Sequence, residues 1–264
     1  MSNGDALSGA YLVKVDLEGL NLAGAILDGA NLAGARLARA NIARACLDSS
    51  DLRAAELSEA NLERASLKRA NLEGATMIQT NLCNAVLDAC MLRGANLHKA
   101  LAKEASLKRA ELSNSRCVDA DFTRAVLSEA WLDGACMIGA ILAEAVLDDA
   151  VAGAALMTGA NLERTSLRRA NLVGTCLRDT DLRGALLKQA RMGRADLTGA
   201  DASGAVMTRA ILREANLSQS DLTGADLSGA ILERARLTGA NIDRASISDA
   251  NLTGAIMDAE EKGD

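Results

Sequence analysis

The chain has 264 residues, 29 of them Lys or Arg and 35 Asp or Glu, for a net charge of −6. Aromatic residues make up only 1% of the chain and proline is absent, although 49% of the residues are hydrophobic. So little aromatic volume argues against an ordinary globular core. The 6 cysteines, 46, 83, 90, 117, 136 and 176, lack metal-ligand spacing.

From about Asp5 to Met257 the chain repeats every five residues without an insertion. A unit reads small, outward, large apolar, outward, outward, as in Ala30-Asn31-Leu32-Ala33-Gly34. The small position is mostly Ala, with Ser50, Thr80, Cys90, Ser115, Thr165, Thr175, Thr180 and Ser220 as substitutes. A helix is the competing reading, because Ala and Leu are strong helix formers. Five residues would turn a helix by about 140°, however, so successive Leu side chains would point all round it and build no apolar face. An extended segment instead puts Ala and the Leu two places on along one side, and the last two positions turn a corner. Gly recurs at the second of these, as in Gly24, Gly29 and Gly34, where tight-turn dihedrals are tolerated.

The A-(N/D)-L-x-x signature, as in Ala60-Asn61-Leu62, Ala160-Asn161-Leu162 and Ala225-Asp226-Leu227, resembles the pentapeptide-repeat family. The resemblance implies an all-β fold, a right-handed four-sided parallel β-helix with four pentads per coil. Roughly twelve coils would then stack at the strand spacing into a rod about 60 Å long. An unbroken period implies one solenoid domain spanning residues 1–264, with repeats over about 5–257 and a short acidic tail at 258–264.

At the amino end, Tyr11, Val13, Val15 and Leu20 are bulky where later coils are small or polar, and Asp5 breaks the small-residue rule; this predicts a side-chain cap over the first coil. Within the rod, residues 61–75 resemble 161–175, and Ala102 and Ala202, both replacing the central Leu, share that hundred-residue offset. Five whole coils separate them, the mark of a duplicated block. With Ala152, they predict local underfilling costing on the order of 1 kcal/mol unless a neighbour such as Leu101 or Leu156 fills the space. At the carboxyl end the pattern stops at Met257, which predicts a bare last coil open to end-to-end association.

Counting in twenties sorts outward residues by face. With the first face centred on Leu7, Leu27 and Leu47, the residue before each centre on the fourth face is Asn or Asp at most levels, a ladder expected to bond turn amides. On the first face the same row is poor in charge and includes Ile26, Val86, Val126, Val146, Leu186 and Val206. From residue 126 to 156 every such outward residue is apolar: Val126, Trp131, Cys136, Ile141, Val146, Val151 and Leu156. Strand propensity accounts for scattered Val and Ile. A contiguous apolar girdle around the only tryptophan instead makes these residues the candidate interface for a protein partner or a second copy.

The basic doublets Lys68-Arg69, Lys108-Arg109 and Arg168-Arg169 share the first face, but Asp28, Asp48, Asp88, Glu129, Asp148 and Asp149 interrupt them, so no nucleic-acid contact is expected. Some members of the family bind DNA gyrase or related topoisomerases as mimics of duplex DNA, and so protect the enzyme from inhibitors. Here acids and bases nearly balance on every face, which disfavours that role. His98 is the only histidine and lies at an outward corner; no catalytic constellation, metal site or cofactor is expected. The opening Met1-Ser2-Asn3-Gly4-Asp5 carries no basic, apolar leader and no membrane-length apolar run follows, predicting a cytoplasmic location, with six free thiols suited to reducing surroundings. The expected function is a non-enzymatic interaction rod.

Overall fold

The structure, a computed structural model, describes residues 7–258. Its backbone is a β-helix of short extended segments, each paired in parallel with the segment twenty residues on. The bridges run from Tyr11↔Asn31 to Arg236↔Ile256 in four ladders, one per pentad of the coil. Every amide of a typical pentad finds a partner. In the unit of Ala30, the N–H of Asn31 donates to the Ala10 carbonyl one coil below (2.9 Å), while those of Leu32 and Gly34 donate to Asp51 and Arg53 one coil above (2.7 and 2.8 Å). The next small residue, Ala35, closes the corner onto the Leu32 carbonyl at 2.9 Å. The remaining N–H, that of Ala33, is taken by the Asn31 side chain at 3.2 Å. This last bond explains why Asn and Asp dominate the position before Leu. With no helices or loops among the described residues, the fourth amide of each pentad must be satisfied locally, and an Asx side chain reaches the amide two residues on.

The corner sets the backbone. From Gly9 to Gly254 the fifth residue of every pentad has a φ between +53° and +70°, as the third residue of a type II turn requires. Glycine fills only some of these corners. Lys14, Arg39, Ala54, Glu104 and many others hold the same left-handed conformation, each against the preference of an L-residue. The periodic burial of the neighbouring positions holds them there.

Inside, the large and small positions form one continuous column. From Leu27 to Ala240 its apolar members are at most 3% exposed. Substitutes at the small position bring a polar atom inside and satisfy it on a carbonyl. Thr80, Thr165 and Thr175 donate Oγ1 to the carbonyls of Leu57, Leu142 and Ala152 at 2.7 to 2.8 Å, and the Cys90 thiol does the same to Leu67 at 2.7 Å. Phe122, the largest buried side chain, follows Ala102 by twenty residues in the same interior column, and the Ala102 N–H bonds the carbonyl next to it, that of Asp121, at 2.7 Å. The space left by Ala102 therefore lies directly beneath the only phenylalanine, not beneath an outward Leu turned inward; Leu101 and Leu156 both stay exposed. After Ala152 and Ala202 the next large position is Met, at 157 and 207, an unbranched side chain suited to irregular gaps.

The amino end departs from the expected cap. Tyr11 is 80% exposed and Leu20 also faces solvent, because Tyr11 occupies an outward row; only Val15 of the bulky group packs against the column together with Leu12 and Leu17. Asp5 and residues 259–264 lie outside the described residues. Near the other end, Ile247 and Ile256 are exposed, and the Asp258 carboxylate accepts the Gly239 N–H at 2.6 Å where lower coils use a carbonyl.

Candidate interaction surface

Outward side chains are organised by the twenty-residue register. On the fourth face, the side-chain amides of Asn41, Asn61 and Asn81 each donate to the Oδ1 of the Asn one coil below, at 3.0 to 3.3 Å, while each of these Oδ1 atoms also takes its own turn amide. Ion pairs likewise step between coils: Arg109 with Glu129 and Arg194 with Glu214 at 2.8 Å, Arg213 with Glu233 at 3.0 Å. Both partners are exposed, so each pair contributes little. The hydrogen bond from Arg169 holds the Asp149 carboxyl below its ordinary range, and that from Arg183 does the same for Asp181.

The acids that break up the basic doublets have a structural task. At three levels of the first face the residue before Leu is Ser (Ser66, Ser106 and Ser166), which does not take the fourth amide as Asn does. Asp48, Asp88 and Asp148 substitute from the coil below. Each accepts the hydroxyl of Ser66, Ser106 or Ser166 at 2.5 to 2.6 Å, and the main-chain N–H of Lys68, Lys108 or Arg168 at 2.9 to 3.1 Å.

The girdle residues occupy two consecutive coils, bridged as Val126↔Val146, Trp131↔Val151 and Cys136↔Leu156, with Ile141 between Asp121 and Asn161. These pairs lie on the first, second and third faces, and Ile141 on the fourth. Opposite faces of a four-sided rod point apart, so one partner reaches at most a corner of the girdle. Within it Trp131, Ile141 and Leu156 are 47, 39 and 45% exposed, while Val126, Val146 and Val151 are half-buried between their neighbours. Of the other first-face candidates, Leu186 and Val206 are adjacent, whereas Ile26 and Val86 stand apart from them; all four are half-buried.

Several exposed apolar residues escaped the sequence reading, Ile138 and Val173 among them. Met91, 44% exposed, lies in the same second-face row as Trp131, two coils below it with Glu111 between. Its signal was Met where that row carries Asn or Asp in the coils below, at Asn31, Asp51 and Asn71. Met91 and Trp131 flank a hollow of about 610 Å³ floored by Ala89 and Cys90, with Arg93 and Arg109 at its rim. A second hollow, of about 460 Å³, shares Ala89 and Arg109 and lies on the first-face side among Lys68, Arg69 and Lys108.

The cysteines divide by depth. Burial pushes the Cys90 and Cys117 thiols up to about 12, whereas Cys46 is exposed. His98 is half-buried, with Nδ1 3.0 Å from the Val118 carbonyl. Among the described residues no three His, Cys, Asp or Glu side chains converge as metal ligands, and no helix is long and apolar enough to cross a membrane.

A four-ladder β-helix of five-residue units, with Asx side chains closing the pentads, defines a repeat solenoid. The chain belongs to the pentapeptide-repeat family: the family model described as Pentapeptide repeats (8 copies) matches residues 6–101, 103–143 and 145–258 in overlapping stretches. Among solved structures it is similar to HetL, a pentapeptide repeat protein involved in heterocyst differentiation regulation in the cyanobacterium Nostoc sp. strain PCC 7120. That match has 30% identity over 97% of this chain and 92% of HetL, with a TM-score of 0.27. Similarity to Rfr23 of the cyanobacterium Cyanothece 51142 is 29% over 43% of this chain and 64% of Rfr23, with a TM-score of 0.28. Full-length QnrB1, a plasmid-mediated fluoroquinolone resistance protein, aligns at 16% identity over 82% of this chain and 92% of its own length, with a TM-score of 0.30. None of the curated proteins compared matches the chain.

Proposed function

We propose that the protein is a non-enzymatic interaction rod, a single right-handed solenoid of about twelve coils that docks a protein partner or a second copy through outward apolar residues. The observation that carries this reading is the exposure of Trp131, Ile141 and Leu156 on two adjacent coils, in rows whose other levels are mostly polar or charged. Ile141 and Leu156 lie on adjoining faces, so one partner can cover both and remove their solvent cost, whereas Trp131 lies on the face opposite Ile141. A cytoplasmic location suits the free thiols. In the test, Ile141→Asp together with Leu156→Asp abolishes dimerisation seen by sedimentation, or capture of the native partner, while circular dichroism is unchanged. Association that survives the double variant overturns the girdle as an interface.

A duplex-DNA mimic acting on DNA gyrase is the alternative. The coil-to-coil alternation of Arg with Asp or Glu argues against it, because such a mimic needs continuous acidic stripes. Unchanged supercoiling by gyrase, with and without a quinolone, removes it.

A further inference from the structure

The corner between the first and second faces carries more than an apolar residue. Ala89 stands in a row of long side chains, with Arg69 one coil below and Arg109 one coil above. Its methyl group stops short of theirs, and the gap opens both ways, into the hollow by Lys68 and Lys108 and into the hollow between Met91 and Trp131. The acids nearby are already engaged. Glu129 is held by Arg109 at 2.8 Å, and Asp88 accepts the Ser106 hydroxyl at 2.6 Å and the Lys108 N–H at 3.1 Å. Among the described residues no carboxylate pairs with Lys68, Arg69 or Lys108, although all three line one hollow. A hollow with more cations than acids therefore adjoins one that Met91 and Trp131 line together with Glu73, Arg93, Arg109 and Glu111, on a chain whose net charge is −6.

We propose that this corner binds an extended acidic segment of a partner protein. Two carboxylate side chains three residues apart would lie on Lys68 with Arg69 and on Lys108, and a large apolar side chain beyond them would enter the hollow between Met91 and Trp131. The spacing is commensurate. Lys68 and Lys108 are two coils apart, about 9.6 Å along the rod, and one three-residue turn of polyproline II backbone, which brings the side chain back to the same side, rises about 9.3 Å. The chemistry favours a peptide over a nucleic acid. Glu73 and Glu111 rim the hollow between Met91 and Trp131 and repel a continuous run of phosphates, and a single aromatic side chain gives no stacking platform. A peptide carries negative charge only where the cations wait. The inference rests on the reading of the rod as a protein-binding module and names the chemistry of what it binds.

Trp131, the only tryptophan, makes the site report on itself. The full-length protein is titrated with the peptide Gly-Glu-Ser-Ser-Glu-Leu-Leu-Gly, with a copy carrying Gln for both Glu, and with decathymidylate, while tryptophan emission is followed. The glutamate peptide shifts the emission and binds at least tenfold tighter than the glutamine copy, and added salt weakens it. Lys68→Glu with Lys108→Glu lowers its affinity at least tenfold. Lys188→Glu with Arg209→Glu, at a separate hollow of the same face, leaves it unchanged. Circular dichroism confirms that all variants stay folded. No emission change, equal binding of the glutamine copy, indifference to the Lys68 and Lys108 reversals, or tighter binding of decathymidylate overturns the proposal. Because Ile141 and Leu156 lie on other faces, their double variant judges the general interaction reading separately.

Discussion

The coils of Ala102 and Ala202 occupy equivalent places five coils apart, yet the column around them is filled differently. Above Ala102 the same interior row places Phe122, whereas above Ala202 it places Leu222, and the extra volume comes from Met192 and Met207 within the coil itself. Both solutions exclude solvent, with every residue named fully buried. The first borrows a rigid ring from the next coil and fixes two coils to each other. The second distributes flexible thioethers within one coil. Specificity of register is therefore expected to be stronger around Ala102, and tolerance of substitution greater around Ala202.

Removing the ring should have the largest effect. Phe122→Ala opens a cavity above a position already reduced to Ala, and is expected to destabilise by roughly 3 to 5 kcal/mol. The same variant should speed labelling of the nearby Cys117, whose thiol is buried in the intact rod. Native thiol titration with and without the variant reads both effects. A variant that labels as slowly as the parent would show that Phe122 is not what closes this part of the column.

Next comes the overpacking test. Ala102→Leu forces a larger side chain beneath Phe122 and should cost about 1 to 3 kcal/mol. Combined with Phe122→Leu, which restores the Leu-on-Leu stack found elsewhere, most of that loss should be regained in chemical denaturation. Ala202→Leu is expected to cost less than Ala102→Leu, since Met192 and Met207 can rearrange. Equal costs would erase the distinction between the two coils.

Acid should sharpen the comparison from the other side. Hydrogen bonds from Arg183, Thr223 and Ser228 hold Asp181, Asp221 and Asp226 below their ordinary value, and all three surround the Ala202 coil. A carboxyl whose folded value is depressed contributes stability that is fully present above its unfolded value, near 3.8, and is lost as pH falls through the folded value. Hydrogen-exchange protection, corrected for the intrinsic rate at each pH, should therefore be unchanged between pH 7 and 5. Below about pH 3.8 protection should weaken more over residues 181–227, which hold these three depressed carboxyls, than over 82–127, which hold Asp121 as the depressed one.

The smallest effect belongs to the corners. Ala154, at a φ of +53°, adopts a conformation that glycine takes without penalty, so Ala154→Gly should stabilise by about 0.5 to 1 kcal/mol. Gly139→Ala should do the reverse, because its φ is +65° and an added methyl would meet Asp119 Oδ1 at 2.6 Å. Thermal melts of the two variants should move in opposite directions.

The period of five made the column and the faces legible, because a strict repeat converts position into direction. Asn41, Asn61 and Asn81 were readable as a ladder for that reason. The compensation of Ala102 by Phe122 was also present in the sequence, but only to a count of twenty; along the chain the two residues look unrelated. The corner at Ala89 was not readable. Its hollows arise from one short side chain between two long ones in adjacent coils, and from Asp88 turning to serve the backbone of its neighbour. Period shows which way a residue points, whereas exposure depends on how far the residues above and below extend. Met91 escaped for the same reason; Tyr11 stands in an outward row, and Leu20, although in the register of the small inward residues, is exposed near the amino end of the column.

The four ladders also give the rod a kind of gearing. Insertion of twenty residues at a corner would lengthen it while every later side chain keeps its bearing. Insertion of five would leave the interior equally content, since one pentad replaces another, yet turn everything beyond it by a quarter revolution. One extra pentad between Gly94 and Ala95 would leave Lys68 and Arg69 where they are and carry Lys108, Arg109 and Trp131 round to the next side. A lineage of such rods can thus shuffle its surface patches by whole units at little cost to folding, and lose or assemble a binding corner in a single step.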